Sequence, residues 1–230
     1  MAVTAKQPTG GAYETLRSEI LHGDLMPGDR LRVAELNEKY KLGLTPIREA
    51  LVRLSSEGLV ANESHRGARV PETTLAELSD LMRTRREIEE LCLRHSIANG
   101  DETWEADILS AMHLLSRASL PKTPEDRQTA AEWEARHRRF HYLLVSACGS
   151  PWLLTIWNML VDHSERYRKL RLLLHSQSDA DVRNLNAEHE QIMQHVLDRN
   201  ADAAVALMDQ HLGRTEAAVA RLLRLEDEQD

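Results

Sequence analysis

Between Tyr13 and Pro71 the chain sets short apolar stripes between glycine and proline stops, in an order that few folds can accept. Leu16, Ile20 and Leu21 mark a first helix, which Gly23 and Pro27-Gly28 bring to a stop. A second helix is predicted over 33–40, burying Val33, Leu36 and Tyr40. The third is predicted to begin at Thr45, whose hydroxyl would cap free amides, with Pro46 in the first helical position, where no amide hydrogen is needed. Its inner stripe is Ile47, Ala50, Leu51 and Leu54, Gly58 ends it, and Arg48 and Arg53 lie off the stripe. Leu59-Val60-Ala61-Asn62 and Ala68-Arg69-Val70-Pro71 flank the turn Ser64-His65-Arg66-Gly67 and form a hairpin. A small helical domain could use such arginines only for solubility. A capped third helix with outward arginines, followed at once by an Arg-Gly hairpin tip, instead predicts a winged helix-turn-helix that lays its third helix in a DNA major groove.

The formal charge of −8 opposes DNA binding until it is divided along the chain. Residues 1–72 carry ten basic and ten acidic side chains, so the whole excess lies after residue 72, with 19 basic against 27 acidic. Phosphate repels such a C-terminal half, which leaves the neutral N-terminal half to meet DNA. Two domains are expected, 8–72 and 73–226. No apolar run approaches the ~18 residues of a membrane span and no signal-peptide core opens the chain, so a cytoplasmic protein is expected. Cys92 and Cys148 lack metal-finger spacing and read as small core residues.

Beyond residue 72 the pattern is helical throughout. Thr74-x-x-Glu77 is a capping box opening a long helix whose stripe runs Leu78, Leu81, Met82, Ile88, Leu91 and Cys92, up to Asn99-Gly100. Further helices are expected near 102–118, 124–148, 151–175, 179–199 and 201–225. The fold class is therefore mostly α: a winged helix-turn-helix followed by an antiparallel all-helical bundle. Arg85 falls on the apolar stripe of the first long helix, where a guanidinium must be met by an internal glutamate or by an anionic effector.

His137 and His141 are four apart and share the inward face continued by Leu144, Val145 and Cys148. His189 shares a stripe with Leu185, Ile192 and Val196, and His211 one with Val205, Met208, Leu212 and Val219. Four imidazoles from three helices can thus face the bundle interior. They are either hydrogen-bonded core residues or the ligands of one divalent ion. His195 is expected to be exposed, and His163, near the stripe of Leu160 and Tyr167, to pack in the core or else to line a pocket.

The segment PGDRLRVAELNEKYKLGLTPIREALVRLSSEGLVANESHRGARV resembles the DNA-binding domain of the GntR family of bacterial transcription regulators. That resemblance implies DNA contacts from Thr45 and Arg48 on the recognition helix and from Arg66 and Gly67 on the wing. Gly43-Leu44 stands where many relatives carry a Ser-Arg pair, so specificity is expected to lean on Arg48, Arg53 and the wing, or on Arg32 at the start of the second helix. Residues 74–225 resemble the all-helical effector-binding FCD domain of the FadR-type branch, through Arg85-Arg86-Glu87-Ile88-Glu89, Arg139-Phe140-His141, Ala147-Cys148-Gly149-Ser150-Pro151, Glu188-His189 and His211-Leu212-Gly213-Arg214-Thr215. Many such domains bind a divalent metal through one aspartate and three histidines. Here His137 takes the aspartate's place beside His141, His189 and His211, which favours zinc or nickel over manganese. Ser164-Glu165-Arg166-Tyr167-Arg168 is loosely similar to the subgroup containing repressors of carbon-starvation and glutarate catabolism genes.

These readings predict a metabolite-responsive regulator, a repressor acting as a homodimer on palindromic double-stranded DNA, with a small carboxylate effector held by the metal, Arg85 and Tyr167. The alternatives are a constitutive DNA-binding regulator with a structural helical domain, or a metalloenzyme. His189-Glu190-Gln191-Ile192-Met193 approaches a zinc-protease motif but has Met193 where the second histidine belongs, so no enzyme is expected.

Overall fold

The computed structural model describes residues 11–21, 23–63, 67–72, 74–121, 123, 126–174 and 185–227. It divides into two compact units, Met1–Thr73 and Thr74–Asp230. In the first, α1 (Ala12–Leu21), β1 (Arg30–Leu31), α2 (Val33–Tyr40), α3 (Leu44–Ser56), β2 (Ala61–Glu63) and β3 (Gly67–Arg69) follow one another. Leu16, Ile20, Leu36, Ile47, Leu51, Leu54, Leu59 and Val70 are buried together, so the apolar stripes of the three helices close on one core. The hairpin has a third strand that periodicity does not reveal. β1 pairs antiparallel with β3 through Arg30 and Arg69 and through Leu31 and Ala68, giving the order β1-β3-β2. A two-residue strand carries no alternation to detect.

Thr45 does not cap α3. The helix starts one residue earlier, at Leu44, after Gly43 with φ +90° and no side-chain cap. Asn37 does part of that work from α2, its Oδ1 accepting from the Gly43 amide at 2.7 Å. Gly43 lies in the left-handed region, which glycine reaches without steric cost. Pro46 still falls among the first amides that lack an intrahelical acceptor.

The second unit contains α4 (Leu75–Asn99), α5 (Glu102–Ser116), α6 (Arg127–Val145), α7 (Pro151–Leu174), α8 (Leu185–Leu197) and α9 (Ala201–Asp227). α4 packs on α7 and α9, α5 on α6 and α8, and α8 on α9. Thr74 caps α4, accepting from the Glu77 amide at 3.1 Å. Asp126 caps α6, three residues after the expected start, and the expected starts at 124 and 179 lie outside the described residues. Leu91 is exposed rather than on the buried stripe of α4. The stripe passes through Arg85, Glu89 and Cys92, and at 100° per residue Leu91 turns away from it. Trp104, Ile108, Phe140, Leu144, Ile192 and Leu212 belong to the main core, while Cys92, Val145, Cys148, Trp157 and Val161 form a second cluster. Both cysteines are free thiols, and burial pushes Cys92 up to about 12. No helix of the described residues is long and apolar enough to cross a membrane.

Candidate functional site

The four inward histidines converge. His137 and His141 on α6, His189 on α8 and His211 on α9 are all buried, and each offers a ring nitrogen within 4.8 Å of the others. Nε2 of His141 lies 3.3 Å from Nε2 of His189. Two ligands at ~2.05 Å from a tetrahedral ion stand about 3.3 Å apart, so this spacing fits a shared cation. The His137 and His141 ring centroids are 4.4 Å apart and those of His189 and His211 4.7 Å. Trp133 stacks on His137 and Phe140 meets His141 and His189 edge-on, closing the cluster with apolar rings.

Burial holds His141 well below the usual histidine range, and the positive charges that His137, His211, His189 and Arg85 would bring push in the same direction. The ring is thereby kept neutral, which is the form that carries a free lone pair. Glu188 orients His211: its Oε2 lies 3.0 Å from Nδ1, leaving Nε2 for the cavity, while its Oε1 accepts from Arg214 at 2.8 Å. A carboxylate on the outer nitrogen makes the inner one a stronger donor. Glu134, also buried, stands 3.8 Å from Nδ1 of His137. Neither glutamate is identified by the sequence as a site residue. Their signal is local for Glu134, three residues before His137 on the same helix, and tertiary for Glu188, which reaches across to α9.

Arg85 is buried, donating from Nη1 to Ser164 Oγ at 2.6 Å. Of the two partners left open for it, the internal glutamate is present: Glu89, one turn on, with Oε2 3.7 Å from Nε. Trp157 Nε1 donates to the same carboxylate at 2.8 Å. Burial raises the Glu89 pKa, against the lowering by Arg85 and Trp157. The charge of Arg85 also lowers the His141 pKa, less than burial and the three neighbouring histidines do. Tyr167 is buried among the main core, and burial, then the Glu77 carboxylate, raises its pKa. His163 and His195 are half-buried, so His195 is less exposed than its helical position suggested.

In the N-terminal unit Thr45 and Arg48 are exposed on α3, and no hydrogen bond or ion pair with described residues holds Arg48. The other arginines differ. The Arg53 guanidinium lies 3.6 Å over the Tyr13 ring with Nε 3.3 Å from Glu57, and Arg32 pairs with Glu35 at 2.7 Å. Gly67 has φ +92° and pairs with Glu63 across the hairpin, while Arg66 lies outside the described residues.

Residues 8–70 match the gntR family of bacterial regulatory proteins, and residues 80–214 match the FCD domain family. The HTH-type transcriptional repressor GlaR of Escherichia coli is 35% identical over 200 residues, covering 87% of this chain and 90% of the relative. The uncharacterized HTH-type transcriptional regulator BphR of Paraburkholderia xenovorans is 33% identical, over 87% of this chain and 80% of its own. Among solved structures, Escherichia coli McbR/YncC superimposes with a TM-score of 0.76 at 19% identity, over 92% of this chain and 96% of that one, a likeness of fold.

Proposed function

Because the chain belongs to the gntR family of bacterial regulatory proteins and carries an FCD domain, hence is a metabolite-responsive DNA-binding regulator and no enzyme, we propose a metal-dependent carboxylate sensor that controls a repressor. In this reading residues 8–72 bind DNA and residues 73–226 bind the effector. His137, His141, His189 and His211 hold one divalent ion, and their nitrogen donors suit zinc or nickel. The observation that carries the reading is the convergence of four buried imidazoles from three helices within 4.8 Å. Neutral ligands leave the ion its full charge, and Arg85 adds another, so the cavity attracts an anion. A small carboxylate bound there would raise the ion's coordination number above the four imidazoles and would meet Arg85, with Tyr167 as a further contact.

The 35% identical relative is named a repressor, which supports repression here. Two copies of α3 related by a two-fold axis would read matching half-sites of a palindrome, with Thr45, Arg48 and Gly67 at the interface and Arg32, Arg53 and Arg66 as further contacts. The loose similarity to regulators of carbon-starvation and glutarate catabolism genes is part of this proposal. Effector binding alters operator affinity only by the difference in its affinity for the two protein states.

Elemental analysis of protein purified without an immobilised-metal column tests the reading. About one divalent ion per chain is expected, with His141→Ala retaining the fold and losing the ion. Small carboxylates are then expected to raise the melting temperature of the metal-loaded protein and to shift its DNA in a gel. Below a tenth of an equivalent of metal, with His141→Ala as stable as the parent, the metal site is excluded.

A further inference from the structure

Resting on the reading that α3 enters the major groove, we propose that Leu44 is a specificity-determining residue whose isobutyl group packs on the 5-methyl of a thymine in each operator half-site. A single exposed leucine means little on an ordinary surface. This one stands apart by its neighbours and its place. It is 45% exposed, while Leu16, Leu21, Leu31, Leu36, Leu51, Leu54 and Leu59 of the same unit are all buried. It occupies the first position of α3, set by the left-handed Gly43 whose amide is held by Asn37. The side chain is therefore presented by a rigid corner rather than by a loose loop.

Leu44, Arg48 and Val52 recur every four residues and are all exposed, whereas Ile47, Ala50, Leu51 and Leu54 fill the buried face, which Leu44 borders at its N-terminal end. One outward spine of α3 thus carries an apolar group, a cation and a second apolar group. No acidic residue lies in its first turn to repel phosphate. In the major groove the apolar feature of a base edge is the thymine methyl, while an arginine takes guanine N7 and O6. Arg32 and Arg53 lie off this spine and pair with Glu35 and with Tyr13 and Glu57. Leu44 then reads one pair and Arg48 another. Four residues of helix rise about 6 Å, close to two base steps of ~3.4 Å, so the thymine falls within about two pairs of the base Arg48 addresses.

Operators enriched by the full-length protein from a randomised duplex pool test this. A fixed thymine is expected in each half-site, and replacing it by deoxyuridine removes only the methyl. That change is expected to weaken wild-type binding about fourfold, the worth of one buried methyl, and to leave Leu44→Ala unaffected. Leu44→Arg is expected to exchange the thymine preference for guanine at that pair. Equal deoxyuridine effects in wild type and Leu44→Ala, or an unchanged base preference in both variants, overturn the role of Leu44. If Arg48→Ala binds the enriched operator as well as wild type, placement of α3 in the groove itself fails. Loss with Arg48→Ala but no methyl dependence removes Leu44 alone.

Discussion

A carboxylate on the outer nitrogen of a histidine decides how well the inner nitrogen binds a cation. Glu188 lies on that nitrogen of His211 and is itself steadied by Arg214. Exchanging that charged acceptor for a neutral one lowers the donor strength of the ring and loosens its orientation. Glu188→Gln is expected to lower metal affinity by roughly ten-fold or more, read by competition with a chromophoric chelator, with helix content unchanged. Equal affinities for the two proteins would leave Glu188 a surface ion-pair residue. The same scale explains Arg85: a buried guanidinium needs polar partners, and Glu89 and Ser164 supply them. Glu89 follows Arg85 by one helical turn, so it was legible in the chain; its burial was not, because Leu91 competed for the same stripe.

At the level of elements, the turn between α4 and α5 leaves no room for a side chain. A Cβ on Gly100 would sit 2.1 Å from the Trp104 ring, although the backbone there is ordinary at φ −64°. Trp104 cannot simply move aside, since its Nε1 donates to Leu143 O at 2.6 Å and ties α5 to α6. Gly100→Ala is expected to cost about 1–3 kcal/mol through overpacking, seen as a lower denaturant midpoint with an unchanged slope. A midpoint equal to wild type would mean that the turn yields freely. Of the helix limits, 124 missed the start of α6, which Asp126 caps, but the starts of α4 and α5 were readable, since Thr74 and Asp101 are short polar caps before apolar stripes. The start of α3 was not, because its amides depend on Gly43 and on Asn37 from another helix.

For the whole molecule, burying four imidazoles together links stability to pH. His141 is held below the usual histidine range by burial first and by its neighbours' charges second. In the unfolded chain it titrates near ~6.5, so below that pH the unfolded state binds more protons than the native state. The contribution of His141 is therefore complete above about pH 6.5 and is lost as the pH falls towards the lowered native value. Calorimetry of chelator-treated protein is expected to show a lower melting temperature at pH 5.5 than at pH 7.5. A bound ion should steepen that dependence, because protons and metal compete for the same nitrogens. A flat profile would indicate that the rings charge without disturbing the fold.

The chain by itself determined most of the local structure and which face of its helix each inward histidine takes, while Leu91 and the start of α3 escaped it. Periodicity, caps and Gly-Pro stops act over a few residues, and a histidine on an apolar stripe must face inward wherever that helix packs. Only tertiary packing decided which inward faces share a cavity. The meeting of α6, α8 and α9 around one point, the pairing of Glu188 with His211, and the addition of β1 to the hairpin depend on contacts between residues far apart in sequence. Such contacts leave no periodic trace, since each partner satisfies its local pattern equally well with or without the other.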